Sequence, residues 1–310
     1  MRFLIVGAGA VGALVGAHLA QAGHEVSFWV RPHQRRENAR LKIEPATRGQ
    51  GVPPGRFERT ARFLAPPDAL PDCDWVFVCV RGEQLDETLR ELAAQLDRHA
   101  NVVISTVSFD GARAHARRHG LQGQVLAHHV SFGVHRDPED PERLLWFPLA
   151  TPSIVSAEGV KAQRSAARTL ARTLNQAGLH SVSMLTSRNP MLLLNSLSGP
   201  FIAAWDLCDF QLERLAQDRE LRQLTAKAMV EAPRNLPFTG WGRLFWLIPA
   251  WFWSCVLWLL PRVIGARGRE IWLHHGPKIR EQTRYCLAHV QRTTSPTPAL
   301  HALAQRLDRR

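Results

Sequence analysis

The spacing of apolar residues changes along the chain, and the change divides it in two. In the first half, short apolar runs alternate with helical stripes. FLIV (3–6) has the length of a buried strand. Residues 10–22 are mostly small and apolar and predict a helix, and Gly23 stands where an αL cap would close it. VSFWV (26–30) reads as the next strand. DWVFVCV (74–80) is an unbroken apolar run, as in a central parallel strand. Leu85, Leu89, Leu92 and Leu96 then step along one face of a helix. NVVIST (101–106), QVLAHHVSF (124–132) and SIVS (153–156) predict further strands, 161–177 a helix, and HSVSML (180–185) an extended segment. The proline-rich segments 50–55 and 64–71 read as loops, and HRDPEDPERLL (135–145) as a polar excursion, either hairpin or lid. This alternation predicts an α/β fold built on a doubly wound parallel sheet.

From Ser187 onward the pattern is helical, with almost no strand signal. A boundary at 183–187 follows, with an α/β domain at 1–185 and an all-α domain at 186–310. The second half opens with RNPMLLLNSLSGPFIAAW (188–205). Asn189 and Pro190 suit the N-cap and first helical position. The helix should run to about Cys208, kinked at Gly199–Pro200. Leucines and aromatics cover most of its circumference, which predicts burial. Met191, Asn195 and Gly199 share one stripe at i, i+4 and i+8. An amide on such a helix needs a partner, whether backbone, water or ligand.

A second greasy stretch, LFWLIPAWFWSCVLWLL (244–260), carries no charge and is flanked by Arg243 and Arg262. As a helix it would reach about 25 Å, short of the roughly 30 Å hydrocarbon core of a bilayer. Pro249 would kink it. It reads as a buried helix or dimer interface, an in-plane membrane anchor, a membrane span, or the wall of a large apolar pocket.

Composition narrows the function. The chain has 310 residues, 45% of them apolar, enough for a sizeable core and against global disorder. The formal charge is +12, but the arginines are dispersed and accompany no zinc-finger, RRM or helix-turn-helix pattern. They read as solvated surface, not as a nucleic-acid footprint. Five cysteines are scattered without a CxxC pair, which argues against a disulfide framework or a metal site and suits a cytoplasmic protein. The apolar N-terminus reads as folded structure and not as a leader, because glycines interrupt it at fixed spacing.

Those glycines carry the first chemistry. Gly7, Gly9 and Gly12 form GxGxxG between a strand and a helix. Gly7 would permit the tight turn, Gly9 the approach of a pyrophosphate, and Gly12 close helix–strand packing. With Ala10 and Val11 they open a helix whose free N–H groups suit phosphate. The second strand ends in Val30–Arg31, where an NAD site would place a carboxylate. A cation there favours the 2′-phosphate of NADP(H), and Arg35 and Arg36 stand close by. Arg81 follows the 74–80 strand at the sheet end where such folds bind ligands.

GAGAVG, HEVSFWVR, VFVCVRGEQL, LLLNSLSGPFIAAW and the closing PTPALHAL (296–303) together resemble the ketopantoate reductase family over nearly the whole chain. The resemblance implies an N-terminal Rossmann domain, an all-helical C-terminal substrate and dimerisation domain, and NADPH between them. It implies that Arg31 meets the 2′-phosphate and that Arg81 replaces a cofactor-contacting lysine. It also implies a Lys-x-x-x-Asn-x-x-x-Asn stripe on the 188–208 helix, with the lysine as general acid and the asparagines on substrate. Here that stripe reads Met191, Asn195, Gly199. Asn195 is the remaining candidate substrate contact. The family's late substrate-binding glutamate aligns with Lys278, or with Glu281 after a small shift. The nicotinamide-proximal Asn-Gly turn is replaced by TVSFDG (106–111). A thioether donates no proton, so Lys278, His128 and His129 are the candidate donors. The function expected is NADPH-dependent hydride transfer to a small-molecule carbonyl, a 2-oxo acid or something more apolar. The alternatives are an NADP(H)-binding sensor or scaffold without catalysis, and a peripheral membrane protein with a regulatory Rossmann domain.

Overall fold

The computed structural model describes residues 1–45, 56–66, 68–106, 110–137, 139–148, 151–185, 188–234, 244, 247–263, 276, 280–291 and 297–309. The side chains of 188–195 and 148 lie outside that description. The chain divides into two compact units, Met1–Ser187 and Arg188–Arg310.

The first unit is an α/β layer structure. Strands β1 (Arg2–Val6), β2 (Glu25–Trp29), β3 (Arg36–Pro45), β4 (Phe57–Leu64), β5 (Trp75–Val78), β6 (Val102–Ile104), β7 (Val125–His129), β8 (Phe132–Arg136), β9 (Arg143–Pro148), β10 (Ser153–Ser156) and β11 (Ser181–Met184) form one sheet. Their order is β11-β10-β7-β6-β5-β1-β2-β4-β3-β9-β8. Neighbours run parallel except at β10–β7, β3–β4 and β8–β9. Both faces of the central strands are buried, which is why they read as continuous apolar runs. Phe3, Ile5 and Phe77 face α1 (Ala10–Gln21) and α4 (Arg164–Gln176). Leu4, Val6, Val76 and Val78 face α2 (Leu85–Ala93) and α3 (Ala112–Arg118). In α2 the expected stripe holds for Leu85, Leu89 and Leu92, while Leu96 lies beyond the helix end.

α1 nests because it is built of small residues. A Cβ on Gly16 would sit 2.3 Å from the Phe28 ring, so only glycine allows that approach. The helix closes as expected: Gly23 has φ +84°, its N–H donates to the Ala20 carbonyl, and the His24 N–H donates to that of Leu19.

The strand pattern departs from the sequence in two places, and the open reading of 135–145 is decided. The 124–132 segment is not one strand: it ends at His129, and β8 begins at Phe132. The 135–145 excursion is the β8–β9 hairpin, whose turn is held by the Lys42–Asp140 and Arg143–Asp137 pairs. β3 and β4 had no counterpart in the sequence reading. The 50–55 segment lies outside the described residues.

The described part of the second unit is helical: α5 (Arg188–Leu207), α6 (Leu212–Gln217), α7 (Arg219–Arg234), α8 (Ala250–Val263), α9 (Arg280–Gln291) and α10 (Pro298–Asp308). α5 is one helix with Pro200 inside it, and Trp205 near its end is fully buried. Asp206, also buried, takes two 2.7 Å bonds from Arg280 and so ties α5 to the start of α9. The closing motif has a physical explanation. Pro298 opens α10, and the Glu231 carboxylate on α7 accepts from the Ala299 and Leu300 N–H groups at 3.2 and 2.9 Å. α8 starts directly after Pro249, so that proline marks the helix entrance and makes no kink. Nor is the helix buried. Of its residues only Leu257 is enclosed, while Trp251, Phe252, Trp258 and Leu259 are exposed.

Candidate functional site

The glycine-rich turn joins β1 to α1 at the C-terminal end of the sheet. Gly7 has φ +92°, and a Cβ there would lie 2.8 Å from the Cys79 carbonyl oxygen. A Cβ on Gly12 would lie 2.1 Å from the Gly7 carbonyl oxygen. Both contacts are with backbone and cannot relax. At Gly9 nothing lies within 4 Å of the Cβ position. Two glycines thus fold the turn, and the middle one keeps a face open. Gly9 is also the N-cap of α1. No side chain caps this end, and its first turn holds no acidic residue. The positive end of the helix, with the N–H groups of Ala10, Val11 and Gly12, is left for an external anion.

β1 lies between β2 and β5, so Arg31 beyond β2 and Arg81 beyond β5 flank the turn. Gln84 joins them. With its amide oxygen turned toward the guanidinium groups, it accepts from Arg81 at 3.0 Å and from Arg31 at 2.9 Å. Arg81 also meets Glu83 at 2.9 Å, while Arg31 remains exposed. The two arginines expected to contact cofactor are therefore brought together, by a glutamine that the sequence reading did not single out.

Arg136 is a second omission. It ends β8, far from the turn in sequence, yet its guanidinium donates to the Ala8 carbonyl at 2.7 Å and to that of Pro141. Burial, with Arg36 nearby, pulls its pKa below the ordinary value. No sequence signal marked it, because its neighbour is 128 residues away. Arg35 is engaged by a carboxylate. It forms a two-pronged pair with Asp68, at 2.8 and 2.7 Å, which holds the Asp68 carboxyl below the usual range. A cavity of about 450 Å³ beside β3 and β4 is lined by Arg35, Arg36, Arg62, Glu37 and Asp68 among others. It keeps a cationic excess of one.

The candidate proton donors fare differently. His128 is buried, with Nδ1 2.9 Å from the Ser105 hydroxyl and the Phe77 ring against its edge. Burial pushes it down to about 3, and His129 to about 4. Both are neutral at physiological pH, and His128 has no open face, so neither is a poised acid. The same burial drives the Cys79 thiol up to about 12 and removes it as a nucleophile. On α5, positions 191, 195 and 199 fall on one helical stripe as expected, but the Met191 and Asn195 side chains lie outside the described residues. Gly199 faces α9, with Cys286 and Leu287 at 3.9 and 3.8 Å from its Cβ position. Lys278 lies outside the described residues. Glu281 is exposed and paired with Arg284 at 2.8 Å. Residues 107–109 of the TVSFDG turn are likewise undescribed. Among the described residues no cluster of histidine, cysteine, aspartate and glutamate could hold a metal.

Comparison with known proteins places this arrangement. Residues 3–142 match the family model of ketopantoate reductase PanE/ApbA. A 2-dehydropantoate 2-reductase of Aquifex aeolicus (strain VF5) is 25% identical over 180 residues, 58% of this chain and 54% of that protein. The match thus spans about half the length of the relative. D-mandelate dehydrogenase, solved with NADH and anilino(oxo)acetate, superposes with a TM-score of 0.71 at 14% identity, covering 100% of this chain and 98% of that one. The 2-dehydropantoate 2-reductase of Geobacter metallireducens GS-15 superposes with a TM-score of 0.68 at 19% identity, covering 100% and 99%. At such identities the structural likeness is one of fold, and it extends from end to end. The glycine turn, both flanking arginines and β8 all fall inside residues 3–142, so the match to the ketopantoate reductase PanE/ApbA family model takes in the candidate site and lies within the N-terminal unit.

Proposed function

We propose that the protein is an NADPH-dependent reductase of a small-molecule carbonyl. The observation that carries this reading is the open, uncapped turn at Gly9, flanked by Arg31 and Arg81 and bridged by Gln84. An uncapped helix end beside exposed guanidinium groups is a site for a phosphorylated ligand. Gly9 and the first turn of α1 would hold the pyrophosphate of NADP(H). Arg31 would take the 2′-phosphate, with Gln84 fixing its approach, and the cationic cavity beside β3 and β4 would receive the same end of the molecule. Arg136, braced on Ala8, adds positive charge behind the turn. The bound dinucleotide supplies a hydride.

The chain's own residues must then hold the carbonyl and deliver a proton to its oxygen. By resemblance Asn195 contacts the substrate. Met191 stands where the family's acid would be, and with His128 and His129 held neutral, Lys278 is the remaining candidate donor. A positioned acid contributes about 10²–10⁴-fold in rate. The loss of lysine and of the second asparagine from the stripe favours a substrate more apolar than a small polar oxo acid. Met191 also sustains a second reading, in which the protein binds NADP(H) and reports on it without turnover.

Titration calorimetry with NADPH and NADH, followed by NADPH oxidation with ketopantoate, tests the proposal. The expected result is NADPH binding at least about tenfold tighter than NADH, the preference collapsing in Arg31→Ala, since each charged phosphate contact contributes about 1.5–3 kcal/mol. Equal affinities in the wild type would remove the role of Arg31. No binding of either would overturn the reading. Binding without turnover on ketopantoate or apolar 2-oxo acids would select the sensor.

A further inference from the structure

We propose that the outer face of α8 docks the protein in-plane onto an anionic lipid bilayer. The inference is independent of the cofactor reading. α8 is apolar on nearly every side, and it leaves large aromatic and aliphatic side chains facing solvent. Its inward side carries Ser254, which accepts from Arg222 at 3.3 Å, and the single buried residue Leu257. Its outward side carries Trp251, Phe252, Trp258, Leu259, Arg262 and Val263, at i, i+1, i+7, i+8, i+11 and i+12, all exposed. Trp251 is 68% exposed and Val263 78%. A solvent-facing stripe of this kind is out of place on an isolated domain and marks an interaction surface.

Charge decides what covers it. Residues 232–269 contain five arginines and no aspartate or glutamate, and five of the chain's ten tryptophans. Arg262 belongs to the stripe itself: its guanidinium lies 4.3 Å from the centroid of the Trp258 ring and donates to the Trp258 carbonyl. A second copy of α8 packed on this face would bury that guanidinium and bring it no carboxylate, an arrangement with a large desolvation cost. A bilayer surface gives it lipid phosphate at the depth where tryptophan rings settle. The helix is about 21 Å long, and no helix among the described residues is long and apolar enough to cross a membrane. The stripe therefore lies along the surface, with the Leu257 side facing the protein.

Co-sedimentation of the full chain tests this, with vesicles of phosphatidylcholine alone and of phosphatidylcholine mixed with phosphatidylglycerol. Brominated lipid, as a short-range quencher of tryptophan fluorescence, provides the second readout. Binding to the anionic vesicles, weaker by about tenfold on the neutral ones and reduced by salt, is expected. Leu259→Asp should abolish binding and quenching, and Arg262→Gln should weaken the anionic preference by about fivefold. Both positions are exposed, so an unchanged circular dichroism melt separates lost docking from lost folding. Three results would each overturn the proposal: no sedimentation with either vesicle, equal sedimentation with both, or a dimer in velocity sedimentation that Leu259→Asp splits. The last would mean that a second copy covers the stripe.

Discussion

α1 and α8 are both greasy helices of similar length, and they have opposite fates. In α1 every residue from Gly12 to Leu19 is buried. The sheet covers one side, α4 approaches another, and His18 is accommodated by a 2.8 Å bond to the Ala177 carbonyl and by the edges of Phe57 and Trp146. In α8 only Leu257 is enclosed. Residue size separates the two cases. Glycine and alanine let α1 sink between layers, whereas Trp251, Phe252 and Trp258 of α8 stand in solvent. Apolar composition says that a helix needs a cover. It does not say whether the cover lies in the same chain.

The largest effect should come from the α1 side. Gly12→Ala drives a methyl into the Gly7 carbonyl oxygen, which is part of the turn itself. Calorimetry should find no NADPH binding, and the melt should show a loss of at least about 3 kcal/mol, the upper range for overpacking. A variant that binds normally would mean that the turn is not the cradle described. Next comes the single anchor of α8. Leu257→Ala should cost about 2–5 kcal/mol in urea unfolding. A cost near zero would mean that α8 is not packed against its own unit.

The third effect is a pH dependence that arises in the α/β unit. His18, His128 and His129 are all held below the ordinary histidine value, chiefly by burial. Their folded pKa values lie below the unfolded value of about 6.5, so the unfolded chain takes up protons first. Stability is thus present above pH 6.5 and is lost as pH falls toward about 4 for His129 and 3 for His128. His128 and His129 each contribute about 2 kcal/mol of loss by pH 5. The carboxylates held below their usual range, such as Asp68 and Asp140, act only at lower pH. His128→Leu should flatten the slope of stability between pH 7 and 5, and an unchanged slope would show that this histidine is not the group enclosed.

The same contrast governs what the sequence made legible. The β1–α1–β2 unit could be read because every element of it is local: strand, glycines, helix and Gly23 cap follow one another without interruption. β3 and β4 were missed although Ala39, Leu41 and Ile43 alternate inward, as do Ala61 and Phe63. Their outward residues are mostly charged, and the flanking prolines suggested loops. Gln84 and Arg136 could not be found by spacing, since each acts on a residue that only the sheet order brings near. The 244–260 stretch was recognised as apolar, but its side chains alone could not tell an inner face from an outer one.

The smallest effect is the one that separates the two helices most clearly. Leu259 lies two positions from Leu257 and has the same side chain, but it belongs to the exposed stripe. Replacing it by serine removes apolar surface that is already in water, so the folded and unfolded chains lose nearly the same hydration cost. Leu259→Ser should therefore change the unfolding free energy measured in urea by no more than about 0.5 kcal/mol, the usual range for surface positions. If the cost instead approaches that of Leu257→Ala, the outer face is covered by the protein's own residues and α8 is a core helix like α1. If it stays small while vesicle binding weakens, the apolar stripe is retained for a contact outside the fold.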